Sequence, residues 1–240
     1  MTELSIVVPV WNEEEIVGAL LEELEREVAA GVGDAEIVVV DDASTDATPA
    51  ILAERARANE RLRVLRAERN RGHGPSVRRG FEEARGEWIF QLDSDGQFVV
   101  SEFWRLWPRR READLVLGVR VRRHDPLHRL VLTRAVRLVV SALATRPLRD
   151  ANVPFRLLRR AVWEDLRRFI GPDALAPQIL VTMGAAVRGW RIVEVPVSHL
   201  PRERGQSSLR ALRLLRFSLR GLGQLLRFRY ELAQAPARGA

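Results

Sequence analysis

The chain has 240 residues, 46% hydrophobic and 30% charged, enough for one α/β domain with a full core and an appended element. It contains no cysteine, which excludes disulfides and thiolate metal sites, and no lysine, so all 39 cations are arginines and the formal charge is +7. No window of about 18 residues is free of charge, which argues against a simple transmembrane helix, and residues 1–10 lack the basic flank and cleavage site of a signal peptide. Residues 4–10 read as a strand, and 13–29 as a helix with Ile16, Val17, Leu20, Leu21, Leu24 and Val28 at helical spacing, ended by Gly31 and Gly33. Residues 36–40 form a continuous apolar strand of the kind buried on both faces of a parallel sheet. Helix 48–59, strand 62–65, helix 75–85 (Pro75 near its start) and strand 87–92 complete a β-α-β-α-β-α-β rhythm, which predicts a doubly wound sheet.

After Gln97 the alternation loosens. Strands are predicted at 115–119, 155–158 and 191–197, and helices at 127–144, 160–168 and 174–188. Residues 209–230 form a further helix. At about 100° per residue, Arg213, Arg216, Arg220 and Arg227 share a narrow arc, with Leu212, Leu215, Leu219, Leu222, Leu225 and Leu226 opposite. Such a helix fits a membrane interface, or else packs on its own domain with a solvated Arg face. The simplest division is one domain over 1–208 and a basic amphipathic helix and tail over 209–240. Acidic residues are frequent in 11–60 and most of the arginines lie in 105–230, which implies an anionic partner: phosphate, acidic lipid or nucleic acid.

The chemistry gathers where strands end. Trp88 to Leu92 is an apolar run that releases Asp93-Ser94-Asp95-Gly96-Gln97 at its C-terminal end, the edge at which open α/β sheets bind ligands. Two carboxylates there can hold a hard divalent cation, and the cation a diphosphate; a plain Asp-Gly turn is the bland alternative. Asp41 and Asp42 follow the second strand and suit a base N–H or ribose hydroxyls, while Thr45 or Asp46 suits capping of the next helix. After the first strand, Trp11 can line a base pocket and Glu13 bond a ribose; alternatively Asn12 caps a helix whose dipole favours the acids behind it. Asn70 to Ser76 is a Gly-rich loop open to close backbone approach, and neither a Walker nor a dinucleotide string is present. His73 is within that loop and could approach donor phosphates.

In this order and spacing, these segments resemble glycosyltransferase family 2 over roughly residues 4–210. The resemblance rests on Val8-Pro9-Val10-Trp11-Asn12-Glu13-Glu14, Val40 to Thr48, Asn70 to Gly80 and Asp93-Ser94-Asp95. Gln97, Gly118-Val119-Arg120, Thr133-Arg134, Asp150 to Arg156 and Arg202 to Ser208 are similar to its polyprenol-phosphate (dolichol-phosphate-type) branch. The resemblance implies a GT-A-type nucleotide-sugar fold and a hexose passed from a nucleotide-diphosphate sugar to a polyprenyl phosphate. It implies Mg²⁺ or Mn²⁺ on Asp93, Asp95 and Gln97, with Asp93 and Asp95 also facing the diphosphate. Pro9, Trp11, Glu13, Asp41 and Asp42 would serve the nucleoside, and Arg120, Arg134 and Arg202 the acceptor phosphate. The expected location is the inner, cytoplasmic face of the cell membrane. Ser208 stands where Lys is usual and Pro154 where Gly is usual, many members carry C-terminal transmembrane helices, and the Glu-Asp base of other branches is missing near Ala174 to Gln178. One rival reading keeps the fold but uses a sugar hydroxyl as acceptor, with Asp150 or Asp173 as base. Another is a non-catalytic, Arg-rich nucleic-acid binder; no recognisable nucleic-acid module is present, so nucleic acid is not expected as a partner.

Overall fold

A computed structural model describes residues 2–121, 127–201 and 211–236, with 127–133 and 211–218 as backbone alone. In chain order its elements are β1 (Leu4–Val10), α1 (Val17–Leu24), α2 (Ala30–Val32), β2 (Ala35–Asp41), α3 (Thr48–Ala58), β3 (Leu62–Arg66), α4 (His73–Glu83) and β4 (Trp88–Gln91). There follow α5 (Phe103–Leu106), β5 (Leu115–Arg120), α6 (Leu127–Leu143), β6 (Arg156–Arg159), α7 (Arg160–Leu166), α8 (Pro177–Val187), β7 (Ile192–Val197) and α9 (Ala211–Gln234).

Seven strands form one sheet in the order β3-β2-β1-β4-β6-β5-β7. The strands β1 to β4 are mutually parallel, β5 and β7 are parallel, and β6 runs antiparallel between β4 and β5. The core strands read as unbroken runs, such as Ile37-Val38-Val39-Val40, because helices cover both faces. Close helix packing needs glycine at one point in α4: a Cβ on Gly80 would stand 2.2 Å from Val7 Cγ1.

This topology decides what meets what. The C-terminal ends of β1, β2 and β4 share one edge, and the chain leaves β1 for β2 on one side while β4 pairs on the other. That is a topological switch point. The end of β5 reaches the same edge, and so does the start of the antiparallel β6. Residues 118–120 and 150–156 therefore converge there although they are distant in sequence.

Two expectations need correction. The first helix begins at Val17 rather than at residue 13, so Asn12 caps nothing: it sits at φ 53° and hydrogen-bonds to the loop after β2. The helix then runs through a π-helical turn, Glu25–Ala29, to Val32. The described leucines of the C-terminal helix divide between core and surface instead of sharing one environment. Leu225 is buried with Phe228 and Leu232, whereas Leu219, Leu222 and Leu226 are exposed. Short helical turns over 100–111 were not predicted. No described helix is long and apolar enough to cross a membrane.

Candidate active site

The loops after β1 and β2 are zipped together. Asn12 N–H donates to Ser44 Oγ at 2.9 Å and Thr45 N–H to Asn12 Oδ1 at 2.8 Å. Glu13 N–H donates to Thr48 Oγ1, and Ala47 N–H to Glu14 Oε2 at 2.7 Å. Although the N-cap of α3 is Ala47, without a side-chain cap bond, Asp46 accepts from the Thr48 N–H at the start of α3 and from Glu14 N–H. Desolvation opposes its charge, but these hydrogen bonds outweigh it and its pKa is lowered. Asn12 and Ala43 both hold left-handed φ, 53° and 59°. Asn tolerates that conformation, whereas Ala is strained in it.

Asp41 and Asp42 divide sharply. Asp41 accepts Ser44 N–H on Oδ1 at 2.9 Å, while its buried Oδ2 has no hydrogen-bond donor and only Arg66 Nε at 3.6 Å. That oxygen, at the end of β2, is balanced among the described residues only by the Arg66 charge. Asp42 spends both oxygens on the Gly-rich loop, accepting Arg71 N–H at 2.9 Å and Gly72 N–H at 2.7 Å. It braces that loop. Pro9 is buried in β1, and Trp11 stands 53% exposed at the rim.

The braced loop leads to the acidic motif. His73, the first residue of α4, bonds Asp93 Oδ1 through Nε2 at 2.8 Å. Desolvation disfavours the imidazolium, but Asp93, through charge and hydrogen bond, with Asp95 and Asp42, outweighs it and raises the pKa. The loop lies hard against 174–175, since a Cβ on Gly74 would meet Ala174 O at 2.1 Å. Asp95 Oδ1 accepts Gln97 N–H at 3.2 Å. Gln97 is stitched to the segment after β7, donating Nε2–H to Leu200 O and accepting Leu200 N–H on its own carbonyl. Arg202 lies outside the described residues.

These groups fit a divalent cation. Asp93 Oδ2 and the Gln97 side-chain oxygen have no partner among the described residues, and both are hard oxygen donors. No group of three or more His, Cys, Asp or Glu side chains is placed to hold a metal ion among the described residues. Two carboxylates and an incomplete shell are what Mg²⁺ or Mn²⁺ needs when substrate phosphates complete it.

On the other side of the edge, Arg120 and Asp150 form a fork: Nε–Oδ2 at 2.7 Å and Nη2–Oδ1 at 2.9 Å, the side chains 11% and 5% exposed. Asp150 is thus spent on orienting Arg120. Arg134 is exposed on α6 and has no partner among the described residues. Asp173 pairs with Arg71 at 2.8 Å.

A buried cation stands at the start of β6, paired in register with the end of β4. Arg156 is fully buried and donates to the carbonyls of Val153, Ala151 and Gln178 and to Thr182 Oγ1. Burial pushes its pKa down to about 9, against the pull of Asp150 and Asp93. Its register partner in the sheet, Gln91, is buried with neither side-chain polar atom hydrogen-bonded. A lone Arg in Val-Pro-Phe-Arg-Leu-Leu and a lone Gln in Ile-Phe-Gln-Leu were the available signals.

Residues 5–178 match the family model described as Glycosyl transferase family 2. The chain belongs to that family. Two relatives are each 30% identical. Dodecaprenyl-phosphate galacturonate synthase of Rhizobium johnstonii (strain DSM 114642 / LMG 32736 / 3841) matches over 95% of this chain and 68% of its own length. Undecaprenyl-phosphate 4-deoxy-4-formamido-L-arabinose transferase of Salmonella paratyphi A matches over 89% and 64%. The chain therefore spans about two thirds of these relatives. Among solved structures, glucosyl-3-phosphoglycerate synthase from Mycobacterium tuberculosis, in complex with Mn²⁺, UDP-glucose and phosphoglyceric acid, aligns with a TM-score of 0.69 at 17% identity, over 95% of this chain and 80% of that one. S. aureus TarS 1–349 in complex with UDP-GlcNAc gives 0.62 at 22%, over 87% and 62%. The family 2 glycosyltransferase thus has the GT-A-type fold expected from its sequence.

Proposed function

We propose that this glycosyltransferase moves a hexose from a nucleotide-diphosphate sugar to a polyprenyl phosphate, with inversion, at the inner face of the cell membrane. Pro9, Trp11, Glu13 and Asp41 receive the nucleoside, with Asp41 Oδ2, which lacks a hydrogen-bond donor, accepting a hydrogen bond from the base or ribose. Asp42 acts with them by holding the Gly-rich loop. Asp93, Asp95 and Gln97 hold Mg²⁺ or Mn²⁺, which as a Lewis acid offsets the charge of the departing nucleoside diphosphate. Arg120, Arg134 and Arg202 bind the acceptor phosphate. The functional unit is residues 1–208, and 209–240 hold it at the membrane.

The observation that carries this reading is the Arg120–Asp150 fork. A sugar hydroxyl needs a general base before it attacks an anomeric carbon. Asp150, one candidate, is locked to Arg120, and Asp173, the other, pairs with Arg71. A phosphomonoester arrives already anionic and needs positioning and charge neutralisation, which guanidinium forks supply. The names of both relatives specify polyprenyl-phosphate chemistry, which favours the same acceptor.

The test is turnover of a panel of labelled nucleotide sugars with a short polyprenyl phosphate, with and without Mn²⁺. Label should pass to the organic phase only with the metal. Asp95→Ala should lower kcat at least 100-fold and abolish detectable Mn²⁺ binding. Label found solely in a water-soluble product would overturn the acceptor, and full activity in Asp95→Ala would overturn the site.

A further inference from the structure

The described part of α9 has three flanks. Leu225, Phe228 and Leu232 are buried against the domain, where α9 packs on α6 and α8. Gln224 fixes the register, accepting Leu175 N–H on Oε1 at 2.9 Å and donating to Asp173 O at 3.1 Å. A helix docked on its own domain needs one apolar flank, and this one has a second. Leu219, Leu222, Leu226 and Tyr230 are 60%, 37%, 51% and 66% exposed. At about 100° per residue they fall within an arc of roughly 80°. Arg220 and Arg227 lie beside that arc, roughly 100–120° from its centre.

Those two arginines line a cleft of about 480 Å³ between α9 and the Gly-rich loop, with Arg71, Asp173 and Gln224 on its walls. Three guanidinium groups face one carboxylate. Arg220 has no acidic partner among the described residues, whereas Arg71 and Arg227 each have one. Gly223 also lines the cleft between the apolar stripe and the arginines, and a Cβ there would meet nothing within 4 Å, so the way in is open.

The geometry points to a binding site for the phosphate of an anionic membrane lipid, held by Arg71, Arg220 and Arg227, separate from the acceptor site assigned to Arg120, Arg134 and Arg202. With Leu219, Leu222, Leu226 and Tyr230 in the acyl boundary, the cleft lies at headgroup depth, where arginines meet phosphates. A free phosphate would account for the guanidinium groups but leave the exposed stripe without purpose. The site rests on the membrane part of the proposed function. It adds a consequence: Arg71, whose backbone N–H is held by Asp42, would link lipid occupancy to the donor loop.

The test uses the full chain and vesicles of phosphatidylcholine alone or with phosphatidylglycerol, read by co-sedimentation. Arg220→Gln/Arg227→Gln should weaken binding to anionic vesicles about tenfold or more, and Arg26→Gln/Arg57→Gln, which removes equal charge elsewhere, less than twofold. Leu222→Ser/Leu226→Ser should weaken binding to both vesicle types. Equal losses in the two arginine pairs would overturn the site, as would complete displacement from vesicles by millimolar inorganic phosphate, or a lipid-independent dimer that buries the stripe. Transfer to a short, detergent-dispersed acceptor is followed in parallel. Absent transfer with selective vesicle binding defeats the functional reading alone, and intact transfer without selectivity defeats the lipid site alone.

Discussion

Substituting Asp150 separates the two acceptor chemistries. The Arg120–Asp150 fork has two charge-assisted bonds at 2.7 and 2.9 Å and is almost wholly removed from water. At an effective dielectric of about 20, unit charges about 4 Å apart attract by about 4 kcal/mol. Desolvation consumes much of that, but removing one partner leaves the other buried and uncompensated, which costs about 3–5 kcal/mol. Asp150→Ala should therefore destabilise by about 3–5 kcal/mol. Asp150→Asn keeps volume and one acceptor oxygen, so it should cost about 2 kcal/mol, near the worth of one charged hydrogen bond. Because Asp150 also favours the cation of Arg156, the loss should exceed what Arg120→Gln shows alone. The assay is chemical denaturation of both single variants and the double variant, beside steady-state transfer. A positioning role predicts a coupling of about 1.5–3 kcal/mol, a raised acceptor KM and an unchanged pH profile. The reasoning fails if Asp150→Asn unfolds like the parent within about 0.5 kcal/mol while kcat falls 100-fold or more and the acidic limb of the profile disappears. That pattern belongs to a general base and would transfer the acceptor to a hydroxyl.

Two further outcomes follow from the packing. Gly74→Ala puts a methyl 2.1 Å from Ala174 O, so α4 must shift and carry His73 away from Asp93; we expect a loss of about 1–3 kcal/mol and a raised donor KM. Gly171→Ala, with nothing within 4 Å, is the control, and equal stability and kinetics in the two variants would defeat the account. Glu36 accepts from Ser5 at 2.6 Å, Arg63 at 2.7 Å and Arg85 N–H at 2.8 Å, and these bonds outweigh desolvation to lower its pKa. A carboxylate with a lowered folded pKa contributes stability above its unfolded pKa, about 4.3, and loses it as pH falls through the folded value. Glu36→Gln should thus cost about 2 kcal/mol at pH 7, with the gap narrowing below about pH 4; a gap constant from pH 7 to 3 would contradict the assignment.

How far the site was legible depends on what is local. Continuous apolar runs and strand-end acids located β1, β2 and β4 within a residue or two, because buried parallel strands must be apolar throughout. They could not tell Asp41 from Asp42. Adjacent strand residues point to opposite faces, but which face meets the Gly-rich loop depends on where residues 70–73 cross the edge. Asn12 caps no helix for a similar reason: it and Glu14 have the chemistry of a helix start, yet their partners lie 32 or 33 residues away in the neighbouring loop. The Arg120–Asp150 fork was the least legible. It exists because β6 enters antiparallel between β4 and β5, returning the chain to the edge where β5 ends. No local pattern encodes that insertion. Its chemical consequence is that the last carboxylate before β6 is held by a guanidinium group instead of facing an acceptor. Both sides of the edge are therefore organised around charge: acids beside the loops after β1 and β2, and an oriented arginine where the proposed function brings the acceptor phosphate.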